Sequence, residues 1–393
     1  MICKVCGNNK TIMVLNLGDQ PLANKYPKNN KEIALEKVYP LNLIFCQKCK
    51  LVFIEKLISR KKMFEDYFYL SSVNKGLVRH FENLALSIKK SNFVVDIGSN
   101  DGILLKPLKK LNIKCLGIDP SKNVGKIAND NNLETIIGFF NRKIVTKVIN
   151  KYGQPDTVVA SSIFTHLENP KVFVKDLKKL LKKDGTFILE VEYLSNFIKK
   201  TQFERFYFDR PFYYSLNSIK WIFEKEGMSF VDVKKINIHG SSIRCIIKNS
   251  EKSKMTKHLQ NLLNKENKFL KKSTFKIFQN KIEAEVSKFR NFLFKNKKLG
   301  KNIIGYGAPA RVATISNLSK VDFKLIEYII DDSPLKQNKF TPGTHIPIYS
   351  RKKIDKNKSY IIIAFAYEYI DDIKKSIKNI NCKYYAPIPI KKI

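Results

Sequence analysis

The sequence contains few acidic residues, no long hydrophobic run and no apolar leader at its start. Asp and Glu number 35 against 73 Lys and Arg, so the formal net charge is +38. No apolar stretch approaches the roughly 20 residues of a membrane-spanning helix. The N-terminal "MICKVCG" also lacks the apolar core of a signal peptide. We therefore expect a cytoplasmic protein without a membrane span.

The positive charge has two interpretations. The lysines are spread along the whole chain, which favours a solvated basic surface and would suit a phosphorylated small substrate. The alternative is nucleic-acid binding, but no basic run is interleaved with aromatic residues as in a strand-binding groove. We therefore expect no nucleic-acid partner. Hydrophobic residues make up 44% of 393 positions, which is enough for two or three domains.

Cysteine is scarce, and the seven cysteines do not form an even set of disulfide partners. Two C-x-x-C pairs stand near the N-terminus, Cys3 with Cys6 and Cys46 with Cys49, and the other three are scattered. Four thiolates at this spacing can surround a zinc ion tetrahedrally if a hairpin is inserted between the pairs. Such a site has no open coordination position, so we predict a structural Zn²⁺ site; redox chemistry is the alternative.

A second segment, up to about residue 250, alternates apolar strands with amphipathic helices. "FVVDIGSNDGILLKPLKK" predicts a buried strand, a glycine loop and a helix, and the next strand, "KCLGIDPS", ends at Asp119. "DTVVASSIF" and "GTFILEVEYL" are further strands with a helix between them, and "FVDVKKINIHGSSIRCIIK" predicts an antiparallel hairpin. This alternation predicts a doubly wound parallel sheet closed by the hairpin.

The loop at Gly98 and the acid at Asp119 together predict a nucleoside site. Glycine allows the backbone to approach a ligand closely, and Asp119 can accept hydrogen bonds from both ribose hydroxyls. Ligands bind at the carboxyl ends of such strands, which is where both residues fall.

The C-terminal segment begins with lysine-rich connecting helices, up to about residue 298, and then repeats this pattern. "KNIIGYGAPARVATISNL" contains a strand, a G-x-G-x-x-A loop (Gly305, Gly307, Ala310) and a helix. "LIEYIIDDSPLKQ" is a second strand that ends at Asp331 and Asp332, and "SYIIIAFAYEYIDDIKKSIK" adds another strand and helix. This second, smaller Rossmann-like unit could hold a dinucleotide, or the pyrophosphate of a nucleotide-linked substrate.

Together these motifs resemble the three-domain sugar C-methyltransferases, which use S-adenosylmethionine and act on nucleotide-linked deoxy keto-sugars. The resemblance covers nearly the whole chain, through both cysteine pairs, "LGDQPLAN", "YFYLSS", "DIGSNDG", "IHGSSIR", "GYGAPAR" and "PGTHIPI". It implies an α/β fold with an N-terminal zinc-binding domain (1–65) and a class I methyltransferase domain (66–250). Linker helices and a C-terminal Rossmann-like substrate-binding domain (251–393) follow. We expect a monomer.

The resemblance also implies two binding sites. The residues implied to surround S-adenosylmethionine are Asp96, Gly98, Ser99, Asn100, Gly102, Asp119, Pro120 and Ser161. The residues implied to hold the nucleotide-linked sugar are Gly305, Tyr306, Gly307, Pro309, Arg311, Lys336, His345, His239 and Arg244. Arg311 stands where the family usually has lysine, and its fork can make two bonds to a phosphate.

The aromatic stretch "QFERFYFDRPFYYSL", residues 202–216, corresponds to a substrate loop of the family's active site. Family members read close to Tyr-His-Glu-His there, whereas this chain has Tyr207, Phe208, Asp209 and Arg210. Carbon methylation beside a ketone needs a base for the α-proton and donors for the enolate. Arg210 cannot be the base, because guanidinium stays protonated. The implied catalytic residues are His166, Tyr207, Asp209, Arg210 and Tyr69.

Several alternatives stay open at this point. Arg210 is expected either to bind an enolate or substrate anion, or to form a local ion pair with Asp209. His166 is either a base that titrates near neutrality or a packed histidine at a helix start. Methylation of oxygen needs only one base and is the alternative to methylation of carbon. Alternatives from other classes are an NAD(P)-dependent oxidoreductase that uses "GYGAPA" and an RNA-modifying protein.

Overall fold

The computed structural model describes residues 1–58, 71–238 and 242–393, so the predicted site residues Tyr69 and His239 lie outside the described residues. The strands are β1 (Thr11–Pro21), β2 (Val38–Cys46), β3 (Val52–Ile54), β4 (Phe93–Ile97), β5 (Lys114–Asp119), β6 (Thr135–Ile137), β7 (Thr157–Ser161), β8 (Thr186–Glu192), β9 (Phe212–Tyr213), β10 (Ser229–Ile236), β11 (Ser242–Lys248), β12 (Asn302–Tyr306), β13 (Ile329–Ile330), β14 (Ile348–Tyr349), β15 (Tyr360–Ala364), β16 (Cys382–Ala386) and β17 (Lys391–Lys392).

Helices connect these strands. The α-helices are α1 (Asn30–Ala34), α2 (Lys75–Ser87), α3 (Leu105–Lys110), α4 (Lys122–Asp130), α5 (Arg142–Tyr152), α6 (Pro170–Leu180), α7 (Leu194–Lys199), α8 (Leu216–Glu224), α9 (Lys257–Phe269), α10 (Lys272–Lys298), α11 (Arg311–Ser319) and α12 (Ile370–Ser376). The short 3₁₀ helices are Ser71–Val73, Phe164–His166, Phe203–Arg205, Arg351–Lys353 and Tyr367–Tyr369. Within the described ranges, no helix is long and apolar enough to cross a bilayer.

Polar residues at helix starts explain where many of these helices begin. The side chains of Asn74, Asn141, Asn169, Ser215 and Thr256 each accept a hydrogen bond from a backbone N–H in the first turn of the helix that follows. These N–H groups have no partner within the helix, so such caps stabilise a helix by about 1 kcal/mol each. The sequence therefore sets these boundaries locally.

The N-terminal sheet has the strand order β1-β2-β3-β9. Strands β1 and β2 form the predicted hairpin between the two cysteine pairs. The fourth strand, β9, comes from the aromatic stretch far along the chain and pairs antiparallel with β3. Residues 202–216 are therefore tied by their backbone to the zinc-binding domain, although they follow the last parallel strand of the next sheet.

The central sheet has the order β10-β11-β8-β7-β4-β5-β6. Strands β8, β7, β4, β5 and β6 are parallel, and the β10–β11 hairpin closes the sheet antiparallel to β8, as predicted. The carboxyl ends of the parallel strands meet at one edge, where ligands of such sheets bind. The predicted class I methyltransferase fold is confirmed.

The C-terminal sheet has the order β14-β13-β12-β15-β16-β17 and is parallel except for β17. The predicted connecting helices α9 and α10 precede it, and the buried residues of α10 share a hydrophobic core with this sheet and with the N-terminal domain. The domain limits 1–65, 66–250 and 251–393 remain a prediction.

The central unit fixes its glycine loop with the acid that ends its second strand. The Asp119 carboxylate accepts hydrogen bonds from the backbone N–H of Asn100 in the loop after β4 and from the N–H of Ser121, both at 2.9 Å. The acid therefore holds two successive strand ends in register.

The C-terminal unit uses the same device at Asp331. Its carboxylate accepts hydrogen bonds from the N–H of Ala308 in the loop after β12 (2.6 Å) and from the N–H of Ser333 (2.9 Å). Asp332, next in the chain, instead pairs with Arg351, with half of each side chain exposed. Asp331 is thus the counterpart of Asp119.

Candidate functional site

The four paired cysteines converge in one cluster. Their sulfur atoms all lie within 4.8 Å of one another. The Cys3 and Cys49 sulfurs are 3.8 Å apart, and those of Cys6 and Cys46 are 3.5 Å apart. A tetrahedron with Zn–S bonds of about 2.3 Å has S–S distances of about 3.8 Å. The four sulfurs therefore fit a Zn²⁺ ion, which all of them would hold.

The two knuckles of this cluster share one backbone design. The N–H of Gly7 donates to the Cys3 carbonyl and the N–H of Lys50 donates to the Cys46 carbonyl, both at 2.9 Å. Both donor residues have positive φ angles, 70° and 59°. The Cys46 side chain, as a hydrogen-bond partner, raises the pKa of Cys3 to about 12, so four thiolates need a cation beside them.

The predicted cofactor loop after β4 has an unusual backbone. Gly98, Asn100 and Gly102 have φ angles of 79°, 51° and 83°. A Cβ atom at Gly98 would lie 2.3 Å from Cγ2 of Ile163, so both conformation and space require glycine there. Glycine at this position therefore lets the loop pack directly against Ile163, which follows β7.

Unpaired polar atoms at this edge indicate that the loop accommodates a polar ligand. Among the described residues, the buried hydroxyls of Ser99 and Ser162 and the Oδ1 atom of Asp101 have no hydrogen-bond partner. Such atoms are rare in folded proteins unless a ligand or water pairs with them. The hydroxyls and ring nitrogens of an adenosine would do so, which makes the residues present a fit for S-adenosylmethionine.

The segment before α2 is fastened to the same loop. The N–H of Ser71 donates to the Asn100 side chain at 2.9 Å. The N–H and the hydroxyl of Ser72 both donate to Oδ2 of Asp101, at 3.1 and 2.5 Å. The described chain after residue 70 therefore forms one wall of the predicted cofactor site.

Acidic side chains lie at this edge of the sheet. Asp96 is 3% exposed beneath the loop, and burial, followed by the charges of Asp119 and Glu190, raises the pKa of Asp96 to about 8. Burial also raises the pKa of Asp119. Pro120 is exposed beside Asp119. A cationic ligand would favour the ionised form of both acids.

Ser161, at the end of β7, belongs to a buried polar network around Glu190. The Ser161 hydroxyl donates to Glu190 at 2.7 Å, His80 Nε2 lies 2.9 Å from both carboxylate oxygens, and Arg244 Nε donates at 2.7 Å. Burial would raise the pKa of Glu190, but its hydrogen bond with His80 and the charges of His80 and Arg244 keep that pKa below its ordinary value. Arg244, predicted to bind substrate, is engaged with this carboxylate.

The aromatic stretch is largely a packing segment with a polar centre. Phe203, Phe206, Phe212 and Tyr213 are at most 1% exposed. The Tyr213 hydroxyl accepts the N–H of Tyr207 at 2.9 Å and donates to the Tyr207 carbonyl at 3.2 Å. This packing fixes the backbone that carries residues 207–210.

Two predicted catalytic residues from different elements meet here. The Nδ1 atom of His166 lies 2.7 Å from the carbonyl oxygen of Asp209. A carbonyl can only accept, so Nδ1 carries the proton and Nε2 of the neutral ring carries the lone pair. The Asp209 carboxylate is 5% exposed, accepts a 2.5 Å hydrogen bond from Asn24 of the N-terminal domain, and has its pKa raised by burial.

Arg210 is paired with Glu192, at the carboxyl end of β8, and not with Asp209. Its Nη2 atom lies 2.6 Å from Glu192 Oε1, and the guanidinium lies over the Tyr207 ring at 5.0 Å. The Arg210 side chain is 12% exposed, and its buried Nε and Nη1 atoms have no hydrogen-bond partner in the described parts of the chain. Arg210 therefore keeps donors for a further acceptor.

The C-terminal glycine loop is crowded. Gly307 has φ of 81°, and a Cβ atom there would lie 2.5 Å from Cβ of Ala366. Lys336 donates to the Ala308 carbonyl at 2.9 Å. Arg311, the first residue of α11, pairs with Glu368 at 2.7 Å.

The other residues predicted to bind the sugar occupy different surroundings. Gly305 lies in β12, and Tyr306 ends that strand, with its hydroxyl donating to Asp332 at 3.1 Å. Pro309 is half-buried just before α11. His345 has its Nε2 atom 2.8 Å from Glu36 of the N-terminal domain. The binding roles of all these residues remain predictions.

Sequence reasoning did not single out the partners of these residues. Two acids at the end of the apolar strand "FILEVE", Glu190 and Glu192, were a signal, since charge at the carboxyl end of a buried strand needs a partner. His80 and Glu368 gave no signal, because 110 and 57 residues separate them from Glu190 and Arg311.

Three family models match the chain and together span nearly all of it. Residues 3–64 match a zinc binding domain, residues 69–233 match a methyltransferase domain, and residues 237–389 match a C-methyltransferase C-terminal domain.

Individual proteins are also similar. The C-methyltransferase NovU of Streptomyces niveus is 26% identical over 400 residues, covering 98% of this chain and 95% of its own. An uncharacterized methyltransferase of Alkaliphilus oremlandii is 28% identical over 168 residues, covering 39% of this chain and 74% of its own. A crystal structure of a SAM dependent methyltransferase from Archaeoglobus fulgidus is 15% identical, covers 44% of this chain and 93% of its own, and has a TM-score of 0.35.

These matches bear on two of the alternatives that the sequence left open, the NAD(P)-dependent oxidoreductase and the methylation of oxygen. The second Rossmann-like unit lies inside the C-methyltransferase C-terminal match, which removes the reason to assign it to an NAD(P)-dependent oxidoreductase. The same match and the full-length similarity to a C-methyltransferase favour carbon over oxygen as the methylated atom.

Proposed function

Because this chain belongs to the three-domain S-adenosylmethionine-dependent C-methyltransferases, we propose that its acceptor is a nucleotide-linked deoxy keto-sugar, methylated on the ring carbon beside the ketone. The acceptor would lie between the central and C-terminal sheets, with its diphosphate towards the glycine loop after β12. The same arrangement would serve any activated keto-sugar whose anion fits that loop.

The position of residues 206–210 is the observation that carries this proposal. Arg210 pairs with Glu192 of the central sheet, and Asp209 contacts Asn24 of the N-terminal domain. The carbonyl of Phe206 accepts a 3.2 Å hydrogen bond from Thr314 of α11 in the C-terminal unit. One segment thus touches all three domains, which is where an acceptor held by one unit can meet a methyl group held by another.

The residues around this segment supply the chemistry that carbon methylation needs. When bound, S-adenosylmethionine supplies an electrophilic methyl group on a sulfonium. We assign His166 as the base, since its Nδ1–H donates to the Asp209 carbonyl, so the neutral ring carries its lone pair on Nε2, the atom that would take the α-proton. The electron pair of the C–H bond then moves onto the ketone oxygen.

Arg210 is assigned to that enolate oxygen. Its buried Nε and Nη1 groups are hydrogen-bond donors that have no partner in the described chain, and Glu192 holds the guanidinium in place. A fixed charge in a water-poor site stabilises a developing oxyanion without reorganisation. The enolate carbon would then take the methyl group as its bond to sulfur breaks, which leaves S-adenosylhomocysteine; the ketone would re-form, and His166 would release its proton to solvent.

The test is incubation with S-adenosylmethionine carrying a ¹³C-labelled methyl group and a panel of nucleotide-linked keto-sugars. The expected product has one added methyl group whose carbon resonance is that of C–CH₃ and not O–CH₃. With S-adenosylhomocysteine in D₂O, the acceptor should exchange its α-proton without methylation, and His166→Gln should abolish that exchange. An O–CH₃ product, or methylation without a nucleotide on the acceptor, would contradict the proposal.

A further inference from the structure

One carboxylate bridges two buried arginines from different domains. Glu368 Oε2 lies 2.7 Å from an Nη atom of Arg311, at the start of α11, and Oε1 contacts an Nη atom of Arg205, in the 3₁₀ helix of the aromatic stretch. The arginine side chains are 10% and 7% exposed, whereas Glu368 is 26% exposed. The acid therefore closes this site on its solvent side.

The two guanidinium groups have more donors than Glu368 can satisfy. Arg205 Nε and Arg311 Nη1 are buried without a hydrogen-bond partner in the described chain, and so is Oε2 of the neighbouring Glu204. Buried donors of charged groups are normally paired, because leaving them unpaired costs their full desolvation. The site is therefore built for an acceptor with more oxygen atoms than a carboxylate has.

The side chains around the two arginines hold the guanidinium groups in place. The guanidinium of Arg311 lies over the Tyr367 ring at 4.8 Å, and the Tyr367 hydroxyl donates to Glu204 Oε1 at 3.1 Å. Glu204 Oε1 lies 3.9 Å from Arg205 Nε. Burial raises the pKa of Glu204, while the charges of Arg205 and Arg311 lower it. Burial would also raise the pKa of Glu368, but the charges of Arg311 and Arg205 lower it, so Glu368 itself is anionic.

The location of the site matches one particular anion. Arg205 is two residues before Tyr207 in the segment assigned to the acceptor, and Arg311 is four residues after Gly307 of the glycine loop. The diphosphate of a nucleotide-linked sugar is bonded directly to the sugar ring, so it must lie beside the reacting ring. A diphosphate also offers several oxygen atoms in the geometry that arginine forks bind in pairs.

We infer that Arg205 and Arg311 form a two-arginine clamp for the diphosphate of the acceptor, and that Glu368 occupies the anion position until the diphosphate displaces it. The identification of the ligand as a diphosphate rests on the proposed function. The clamp and the competition by Glu368 rest on the contacts alone. Arg205 is thereby a binding residue on the methyltransferase side of the site, and Glu368 sets the affinity by competition.

Calorimetry with inorganic pyrophosphate and with uridine, thymidine and guanosine diphosphates tests the clamp. Glu368→Gln removes the competing charge and should bind pyrophosphate roughly tenfold more tightly than the wild type. Arg205→Gln should bind it roughly tenfold more weakly or worse. Glu327→Gln is the matched control, since Glu327 also pairs with a cation, Lys297 at 2.9 Å, and should leave the affinity unchanged.

Opposite signs for the two variants separate a clamp from a structural latch. If Glu368 only joined the domains, Glu368→Gln and Arg205→Gln would both lower the melting temperature and neither would tighten pyrophosphate binding, which overturns the inference. Absence of pyrophosphate binding to both the wild type and Glu368→Gln also overturns it. S-adenosylhomocysteine affinity, expected to be unchanged in every variant, reports on folding.

The same experiments separate this inference from the proposed function. If the variants show the expected opposite shifts but no nucleotide-linked keto-sugar is methylated, the clamp stands and the acceptor proposal fails. If nucleotide-linked sugars are methylated while Glu368→Gln and Arg205→Gln bind pyrophosphate like the wild type, the clamp fails and the acceptor proposal stands.

Discussion

Arg210 stands where members of the resembled family have histidine, so this chain has a permanent positive charge at that position. The structure gives it a buried acidic partner, Glu192, and an aromatic surface, Tyr207, which together hold a permanent cation where we propose that the acceptor binds. Asp209, its neighbour in the chain, points instead to Asn24. Of the alternatives left open for Arg210, a local ion pair with Asp209 is not among the ion pairs of the described residues, where Arg210 pairs with Glu192 at the end of β8.

We predict that Arg210→Ala lowers kcat/KM by roughly 10²–10³-fold, the usual effect of removing one oxyanion donor. Arg210→Lys should recover only part of the activity, since it restores the charge beside Glu192 but not the fork. Arg210→His should not restore activity on this protein's own acceptor. Steady-state kinetics of the three variants measures this.

Removing Arg210 also leaves Glu192 without its cation, which can destabilise the fold by about 3–5 kcal/mol. S-adenosylhomocysteine affinity and the melting temperature therefore serve as folding controls, and Arg210→Lys is the variant that keeps the buried charge balanced. Near-wild-type turnover in a folded Arg210→Ala protein would mean that the segment only packs.

Asp96 provides a pH-dependent contribution to stability. Burial, with the charges of Asp119 and Glu190, raises its pKa in the folded protein to about 8, whereas an unfolded aspartate has a pKa of about 3.9. Between these values the unfolded chain is ionised and the folded protein holds the proton. The stability from this group is therefore full below the unfolded pKa, is lost as the pH rises, and stops falling above the folded pKa.

We predict that Asp96→Asn, which has no proton to lose, becomes more stable relative to the wild type as the pH rises from 5 towards about 8. The difference in free energy of unfolding should grow by at most about 1.4 kcal/mol per pH unit, the limit for one proton. Urea unfolding of both ligand-free proteins across this range is the measurement. Parallel pH profiles would show that Asp96 titrates normally.

Among the strands, β9 connects the zinc site to residues 206–210, the segment that we propose contacts the acceptor. Cys46 ends β2, Cys49 precedes β3 by three residues, and β3 pairs with β9 through Val52 with Tyr213 and Phe53 with Phe212. A zinc ion that fixes the β2–β3 turn therefore fixes the strand that follows Arg210. The zinc site therefore supports the backbone of the segment that we propose contacts the acceptor.

We predict about one zinc per chain, and a Cys46→Ser variant that unfolds at lower temperature and loses kcat while keeping most of its S-adenosylhomocysteine affinity. Structural zinc contributes about 10 kcal/mol or more of binding free energy in small zinc domains, so the loss should be large. Cys382→Ser is the matched control, because Cys382 lies outside the cluster. Metal analysis, thermal unfolding and kinetics check this. Full activity after strong chelation, with no zinc bound, would contradict it.

In the molecule as a whole, the N-terminal domain contacts the glycine loop that follows β12 in the C-terminal unit. The N-terminal domain reaches the C-terminal loop through Tyr26, whose hydroxyl donates to the Ala308 carbonyl at 2.6 Å. Lys336 donates to the same carbonyl from within the C-terminal unit. The geometry of the proposed acceptor site therefore depends on all three domains, whereas the predicted cofactor loop lies at the carboxyl edge of the central sheet.

We predict that Tyr26→Phe lowers the free energy of unfolding by about 0.5–1.5 kcal/mol, the usual net worth of one hydrogen bond. The substitution should weaken nucleoside diphosphate binding and leave S-adenosylhomocysteine affinity unchanged, because Tyr26 contacts the glycine loop after β12 and not the loop after β4. Calorimetry with each ligand decides this. Tyr39→Phe, on the next strand of the same domain, is the matched control. Equal effects on both ligands would indicate a general loss of packing.

Local patterns in the sequence were sufficient to predict the strands, the helices and the local sites. Cysteine spacing predicted the zinc cluster, alternating apolar segments predicted two doubly wound sheets, and glycines with acids at strand ends predicted the loops at Gly98 and Gly307. These features depend on residues close together in the chain, or on backbone geometry that only glycine allows. Helix starts such as Ser215 belong to the same class.

The pairing of buried charges could not be predicted from the sequence, because it depends on contacts between distant parts of the chain. Arg210 is held by Glu192, Arg244 by Glu190, and Arg205 with Arg311 by Glu368, across 18 to 163 residues of chain. A buried ion pair depends on distance and dehydration, and periodicity of the sequence carries neither quantity. The sequence indicates which charged residues are buried, but the packing of the three domains determines the ion-pair partner of each one.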